Sequence, residues 1–571
     1  MHSSFHSIAF LRTSFPSPFL ARLLSCCSIS LSAAKSEDLY EYTSGKWLWN
    51  DAFRHAERRR TFNPAGLKEL AAAAVDRPSQ DVTRFEKLAE GGFDRTFLVS
   101  MRDGFQLVAR IPYSITEPQN LLIASEVATM DYLRARDIPV PKVYGYSTDA
   151  ENLAGTEYII MEAMRGKNLG DLWYQLGEKA RIAVVERLVE LESRLFSLDF
   201  PASGSLFHTS DLGSQWDQVP IPLEDSKCTD TFSIGPDLTL SMWYGRRQDL
   251  DVSRGPYRDV QEMLAAGARK EITYLEKHGR PLHPLQRLRR ECFDFQRQSH
   301  SEHADLLRDY LLTVESIAPR NDPAITQPKL RHPDLQPNNI FVSDNLEITG
   351  LIDWQHSTIL PLFLQGGIPG SLQNYGDEVS ESLEMPILPD EFDDLDENSQ
   401  MREVELLRKR QLHYHYVQNT MNSGSPHSKV LTDPLCVLRR KLLSRAGQPW
   451  EGDNVTLKAD LIEFAKAWPL FAPSQPGTSV SDCPIRYTEA EQQECADLET
   501  ALEEADSQFR TCLNLVGAGP EGWVPLEIYD EAQARAEQLL IDTLEHAESD
   551  GEREEIREHW IFADFDETEY Y

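Results

Sequence analysis

Between residues 165 and 175 the spacing of apolar side chains changes, and this change limits the fold more than any other feature of the chain. Before it, FEKLAEGGFDRTFLVSMRDGFQLVARIPY (85–113) carries short apolar runs separated by a Gly pair and by Arg102-Asp103-Gly104. That pattern predicts two or three antiparallel strands. ASEVATMDYLRARD predicts one helix with Val127, Met130 and Leu133 on one side, ending before Ile138-Pro139-Val140-Pro141. TEYIIMEAM (156–164) predicts a further apolar strand. After the change, ARIAVVERLVELESRLFSL aligns Ile182, Val185, Val189 and Leu195/Phe196 on one helical stripe, and helices dominate from there. A chain of 571 residues also exceeds what one core usually supports. The expectation is an α+β fold of two lobes, a small antiparallel-sheet N-lobe and a larger, mainly helical C-lobe, with a helical C-terminal extension.

The formal charge of −35 sets most of the surface against a phosphate backbone, so no nucleic-acid partner is expected. A polyanionic ligand must find a locally basic pocket. No apolar run reaches the roughly 18 residues of a bilayer-spanning helix, so no transmembrane segment is expected. Eight cysteines without a CxxC pair suit reduced thiols better than a disulfide framework or a zinc site. Residues 1–36 contain no Asp or Glu, are rich in Ser and carry Arg12, Arg22 and Lys35. Arg scattered among Leu, Phe and Ser, with Arg22 breaking the best apolar run, reads as a mitochondrial transit peptide rather than a secretory signal.

The richest chemistry lies in RHPDLQPNNIFVSDNLEITGLIDWQ (331–355). IFV and EITGLIDW flank Ser343-Asp344-Asn345 and read as a hairpin, with Asn339 at the mouth of one strand and Asp353 at the far end of its partner. Two hard oxygen ligands there suit Mg²⁺. Asp334, in the preceding turn, would be free to take a proton from a substrate hydroxyl, which is the arrangement of a kinase catalytic loop and its second metal-binding Asp. Two other readings compete. The His-Pro-Asp and Pro-Asn-Asn groups are also plain turn formers, and His332, Asp334 and His356 could form a facial triad for Fe(II).

The sheet lobe should then hold nucleotide. Gly91 and Gly92 sit between strands where backbone amides can approach phosphates. Arg110, inside the apolar strand VAR, needs a partner, and Glu126 early in the next helix supplies one. The bland alternative is a surface ion pair.

HPDLQPNN, GLIDWQ, EGGFDRTFLV and VARIPY together resemble the aminoglycoside phosphotransferase family of protein-kinase-like enzymes. Further runs, from DLYEYTSGKWLWND through IPVPKVYGYS and FSIGP to LIDWQHSTILPLFLQ, resemble its fungal "altered inheritance of mitochondria protein" branch. The resemblance spans roughly residues 38–420. It implies a protein-kinase-like two-lobe fold, ATP and Mg²⁺ as cofactors and a small-molecule acceptor. It further implies Asp334 as catalytic base, His332 orienting its loop, Asn339 and Asp353 as Mg²⁺ ligands, Arg110 against phosphates and backbone groups from Glu162 to Met164 against adenine. Arg110 stands where Lys is usual, and Trp354-Gln355 where protein kinases have Phe-Gly.

The expected partition is 1–36 transit peptide, 37–80 helical extension, 81–165 nucleotide lobe, 166–420 helical lobe and 421–571 acidic helical region. Two functions remain open: a phosphotransferase acting on a small hydroxylated molecule in mitochondria, and a nucleotide-binding pseudokinase scaffold, which Arg110 favours. Arg246, Arg247, Arg254 and Arg258 could meet an anionic acceptor or form a mixed-charge surface loop. His413 and His415 should face different sides of a helix, and residues 542–571 read as a solvated acidic end.

Overall fold

The structure, a computed structural model, describes residues 38–222, 231–319, 322–472 and 482–571. The proposed transit peptide lies outside them. A short strand β1 (Gly45–Trp47), helix α1 (Asp51–Arg58) and helix α2 (Pro64–Ala73) come first. Within the Ala-rich α2, Pro64 opens the first turn and the Asn63 side chain accepts from the Gly66 amide.

The strand pattern gives β2 (Val82–Glu90), β3 (Asp94–Met101) and β4 (Gln106–Pro112), turned at Gly104 in the left-handed region (φ 87°). Helix α3 (Gln119–Arg134) follows, then β5 (Val143–Ser147) and β6 (Tyr158–Glu162). The five strands form one antiparallel sheet in the order β2-β3-β4-β6-β5. α3 starts earlier than its periodicity predicts, because Leu121, Leu122 and Ile123 are buried as well. β5 escapes the sequence reading because its residues are all half-buried and carry no alternation.

Alternation splits the sheet chemically. Phe97, Val99, Leu107, Ala109 and Ile111 point outward under Phe62, Leu67 and Ala71 of the N-terminal segment. On the inner face Ile159 and Met161 pack on Ile123, Val127 and Met130 of α3, in a core continuous with the helical body.

That body is built from α4 (Glu178–Phe196), α5 (Val260–His278) and α6 (His300–Ile317), then the hairpin β7 (Ile340–Val342) and β8 (Ile348–Leu351). α5 is capped by Asp259, which accepts from the Gln261 and Glu262 amides. The hairpin pairs Ile340 with Leu351 and Phe341 with Gly350, as its sequence predicts. The architecture is the two-lobed, kinase-like α+β arrangement expected.

Beyond it come α7 (Glu397–Asn422), α8 (Pro434–Gly447), α9 (Val455–Lys466), α10 (Glu489–Val516), strand β9 (Trp523–Pro525), α11 (Tyr529–His546) and α12 (Asp550–Glu558). Residues 549–559 are exposed or half-buried as the solvated reading expects, but the last residues, 561–571, dock. Ile561, Phe562 and Tyr570 are buried, and β9 pairs antiparallel with β1. Short-range composition made this end look solvated; its partners include Trp49 and Asn50 near the other end of the chain as well as Leu513 and Val516. On α7, His413 is buried and accepts from the Asn374 amide, while His415 lines a separate crevice with Arg181. No helix of the described residues is long and apolar enough to cross a membrane.

Candidate active site

The loop before β7 is set by one imidazole. His332 is buried; its Nδ1 accepts the Asp334 amide at 3.1 Å, so Nε2 bears the hydrogen and donates to the Ile352 carbonyl at 2.8 Å. Burial lowers the His332 pKa, in keeping with a neutral ring. The ring therefore ties the backbone of Asp334 to the residue before Asp353. Asn339 donates through Nδ2 to the Asp334 carbonyl (2.9 Å) and to Asp334 Oδ2 (3.0 Å), and Gln336 donates to the same oxygen at 2.5 Å. Asp334 is exposed, and among the described residues nothing donates a hydrogen bond to its Oδ1. The Ile352 amide donates to the Asn339 carbonyl, which extends the hairpin ladder by one step and sets Asp353 just beyond it in the left-handed region (φ 66°).

Facing Asp353 from the sheet lobe stands Arg110, 7% exposed. Thr96 pairs with Arg110 and Asp94 with Pro112, so Asp94, Thr96 and Arg110 share the inner face. The guanidinium forms an ion pair with Glu126, lies 3.6 Å through Nε from Asp94 and donates through Nη1 to Asp353 at 3.3 Å. Burial raises the Asp94 pKa, with Arg110 working against it. Asp94 received no role in the sequence reading; its even spacing from Thr96 toward the Gly pair was the available signal. The Arg110–Glu126 pair is buried, not a surface pair.

Neither Gly91 nor Gly92 has positive φ. A Cβ on Gly92 would meet nothing within 4 Å, and one on Gly91 only Asp94 atoms at 3.6 Å and beyond. Among the described residues nothing crowds either glycine. Phe93 beside them packs edge-on against His356. Further along, the Glu162 amide donates to the Lys142 carbonyl and its carboxylate accepts from the Lys142 amide. Met164 packs toward Gly350 of the hairpin, and its backbone amide and carbonyl make no hydrogen bond among the described residues.

The iron reading does not survive this geometry. Both His332 nitrogens are engaged within the protein, and His356 Nδ1 meets the Leu238 carbonyl at 3.0 Å. Among the described residues no group of three or more His, Cys, Asp or Glu could hold a metal. The arginine loop is also reassigned. Arg247 is fully buried in a two-pronged pair with Glu271, and Arg254 is buried against four backbone carbonyls, those of Met242, Arg247, Gln248 and Leu250. Only Arg246 and Arg258 of the four remain exposed.

The profile of the phosphotransferase enzyme family (APH) matches residues 84–363. A subtelomeric hrmA-associated cluster protein of Aspergillus fumigatus is 32% identical over 520 residues, covering 84% of this chain and 96% of that protein. The chain belongs to the phosphotransferase enzyme family. Altered inheritance of mitochondria protein 9, mitochondrial, of Clavispora lusitaniae is 26% identical over 551 residues, with 86% of each chain covered. Among solved structures, the ternary complex of streptomycin, ATP and APH(2'')-IIa has 15% identity, covers 58% of this phosphotransferase and 94% of that chain, and has a TM-score of 0.30.

Proposed function

We propose that this chain transfers the γ-phosphoryl group of ATP, as its Mg²⁺ complex, to a hydroxyl of a small molecule. The observation that carries the reading is the joint placement of Asp334, Asn339 and Asp353 by the His332 ring, opposite Arg110 and the open side of Gly91-Gly92.

The residues fit the cofactors. Asn339 engages only its nitrogen on Asp334, which leaves its amide oxygen, together with the Asp353 carboxylate, as a hard-oxygen pair suited to Mg²⁺. When bound, Mg²⁺ offsets charge on the β and γ phosphates. Gly92 offers its backbone amide to phosphates, the Gly91 amide being bonded to the Asp94 carbonyl, with Arg110 supplying positive charge. The unengaged backbone of Met164, next to Glu162, suits the adenine edge. Asp334, with Oδ1 free, takes the proton from the acceptor hydroxyl. His332 holds that carboxylate in place and carries no proton in the reaction. Residues 81–165 would form the nucleotide lobe and 166–420 the lobe that supplies the base. The word "mitochondrial" in the relative's name and the acid-free N-terminus support action in mitochondria.

Asp334→Asn tests the reading. ATP consumption, screened against a mitochondrial metabolite extract, should fall at least a hundredfold while MgATP affinity stays within threefold, on the usual scale of a positioned base. Unchanged turnover would reject the assignment.

A second reading, a pseudokinase scaffold, is favoured by one observation. Arg110 is engaged by three carboxylates, Glu126, Asp94 and Asp353, and differs from Lys in shape and hydration. MgATP that raises the melting temperature without ever being consumed would select it.

A further inference from the structure

We infer that residues 38–47 are a strap that fixes the geometry of the Gly91-Gly92 hairpin, with Glu90 and Arg95 as positioning residues. The strap lies outside the part of the chain matched by the family profile, which begins at residue 84. Its relevance to nucleotide binding rests on the function proposed above.

Glu90 and Arg95 are a cross-strand pair in the β2–β3 register, flanking the turn. Alternation points them away from the cleft, opposite in sense to Asp94 and Arg110. Both side chains are 1% exposed. Glu90 Oε2 accepts from the Thr43 amide (2.8 Å) and the Ser44 hydroxyl (2.7 Å). Its Oε1 accepts from Lys87 Nζ (2.8 Å) and Arg95 Nε (3.1 Å). Arg95 donates on to the Leu39 carbonyl at 3.0 Å, and Lys87 to the Glu41 carbonyl and the Thr43 hydroxyl, each at 2.9 Å. Burial works to raise the Glu90 pKa, but the bonds from Lys87, Ser44 and Thr43 outweigh it and hold the carboxyl below its usual value.

Three charges behind one turn are thus desolvated by the strap and satisfied largely by it. Buried charges that lose their partners are costly, so the strap cannot lift without also disturbing both stems of the hairpin. The turn itself is pinned from the other side, where the Phe93 carbonyl accepts from the Tyr113 amide (2.9 Å) and the Thr116 hydroxyl (2.6 Å). The far end of the strap is held in turn. β1 pairs with β9, and Asn50 donates through its amide to Asp564 at 2.5 Å and through its side chain to Glu567 at 2.7 Å. The C-terminal region therefore braces a nucleotide-facing hairpin through residues 38–54. A turn held in one conformation has less freedom to lose when phosphates arrive, which raises affinity.

The full-length double variant Thr43→Ala/Ser44→Ala tests this while leaving every charge on the hairpin in place. Hydrogen exchange of amides 91–94, including the Gly91 amide bonded to the Asp94 carbonyl, should speed up about tenfold or more relative to the rest of the sheet. Calorimetry should find MgATP affinity weakened by about tenfold, with the melting temperature nearly kept. Glu90→Gln, read the same way, should move both quantities in the same direction. Unchanged exchange at 91–94 in the double variant overturns the inference, as does faster exchange with unchanged MgATP affinity. A wild-type chain that binds no MgATP would instead reject the function proposed above, and exchange alone would then decide the strap.

Discussion

Arg110, in the sheet lobe, places Nη1 3.3 Å from a carboxylate oxygen of Asp353, in the helical body. The same guanidinium pairs with Glu126, whose side chain is 2% exposed, and whose Oε1 has no hydrogen-bond partner. Removing the cation would strand that carboxylate in a dry site. Arg110→Ala should therefore cost about 3–5 kcal/mol in urea unfolding, the range for breaking a buried pair from one side. Arg110→Lys should cost less, because one ammonium can keep Glu126 but cannot span to Asp94 and Asp353 as well. Equal stability of Arg110→Ala and wild type would remove the buried-pair description.

Tyr416, on α7, donates to Glu192 of α4 at 2.5 Å, and Arg331, next to His332, bridges both. All of this lies beneath the loop that carries Asp334. Tyr416→Phe leaves Glu192 Oε2 buried without its hydroxyl donor, and should cost about 1–3 kcal/mol. Differential scanning calorimetry, with Tyr414→Phe as a half-buried control on the same helix, reads the difference. No difference between the two would mean that the network adds nothing to stability.

These contacts separate what the sequence could disclose from what it could not. The β7–β8 hairpin was legible because its two strands are neighbours in the chain and Ser343-Asp344-Asn345 has turn chemistry. Arg110 and Glu126 were legible because a cation inside an apolar strand demands a partner, and the next helix holds one. Asp94 was missed because its importance arises from which face of β3 it occupies, and that depends on the register with β4. Arg247 and Arg254 looked like surface charges among Asp249 and Asp251, yet one pairs with Glu271 on α5 and the other satisfies backbone carbonyls. Neither partner is implied by local composition. The pairing of β1 with β9 joins opposite ends of the chain, beyond the reach of any periodicity.

The docked tail gives a discriminating measurement. Phe562 is 7% exposed and packs with Trp49, Leu513, Val516 and Leu539. Phe562→Ala should lower stability by about 3–5 kcal/mol, the usual cost of emptying a buried aromatic site. A solvated acidic end would give a change near zero in the same denaturation experiment.

His303, on α6, adds to the acid sensitivity of the fold, as does His427. His303 is 4% exposed, stacks on Trp450 and lies beside Asn454. Burial drives its pKa down to about 4 from an ordinary 6.5. The groups around it include Glu271, Asp453 and Lys270; the two carboxylates favour the charged ring, but burial outweighs them. Because the folded value lies below the unfolded one, the unfolded chain binds the extra proton between pH 6.5 and 4, so stability falls as pH falls through that window. The ring's share is close to zero above pH 7 and reaches roughly 2 kcal/mol of lost stability at pH 5. His303→Leu removes the titrating group without stranding a partner. Its stability should therefore decline less than that of wild type between pH 7 and pH 5, measured by urea unfolding at each pH. Parallel declines for the two proteins would show that His303 does not titrate in this window.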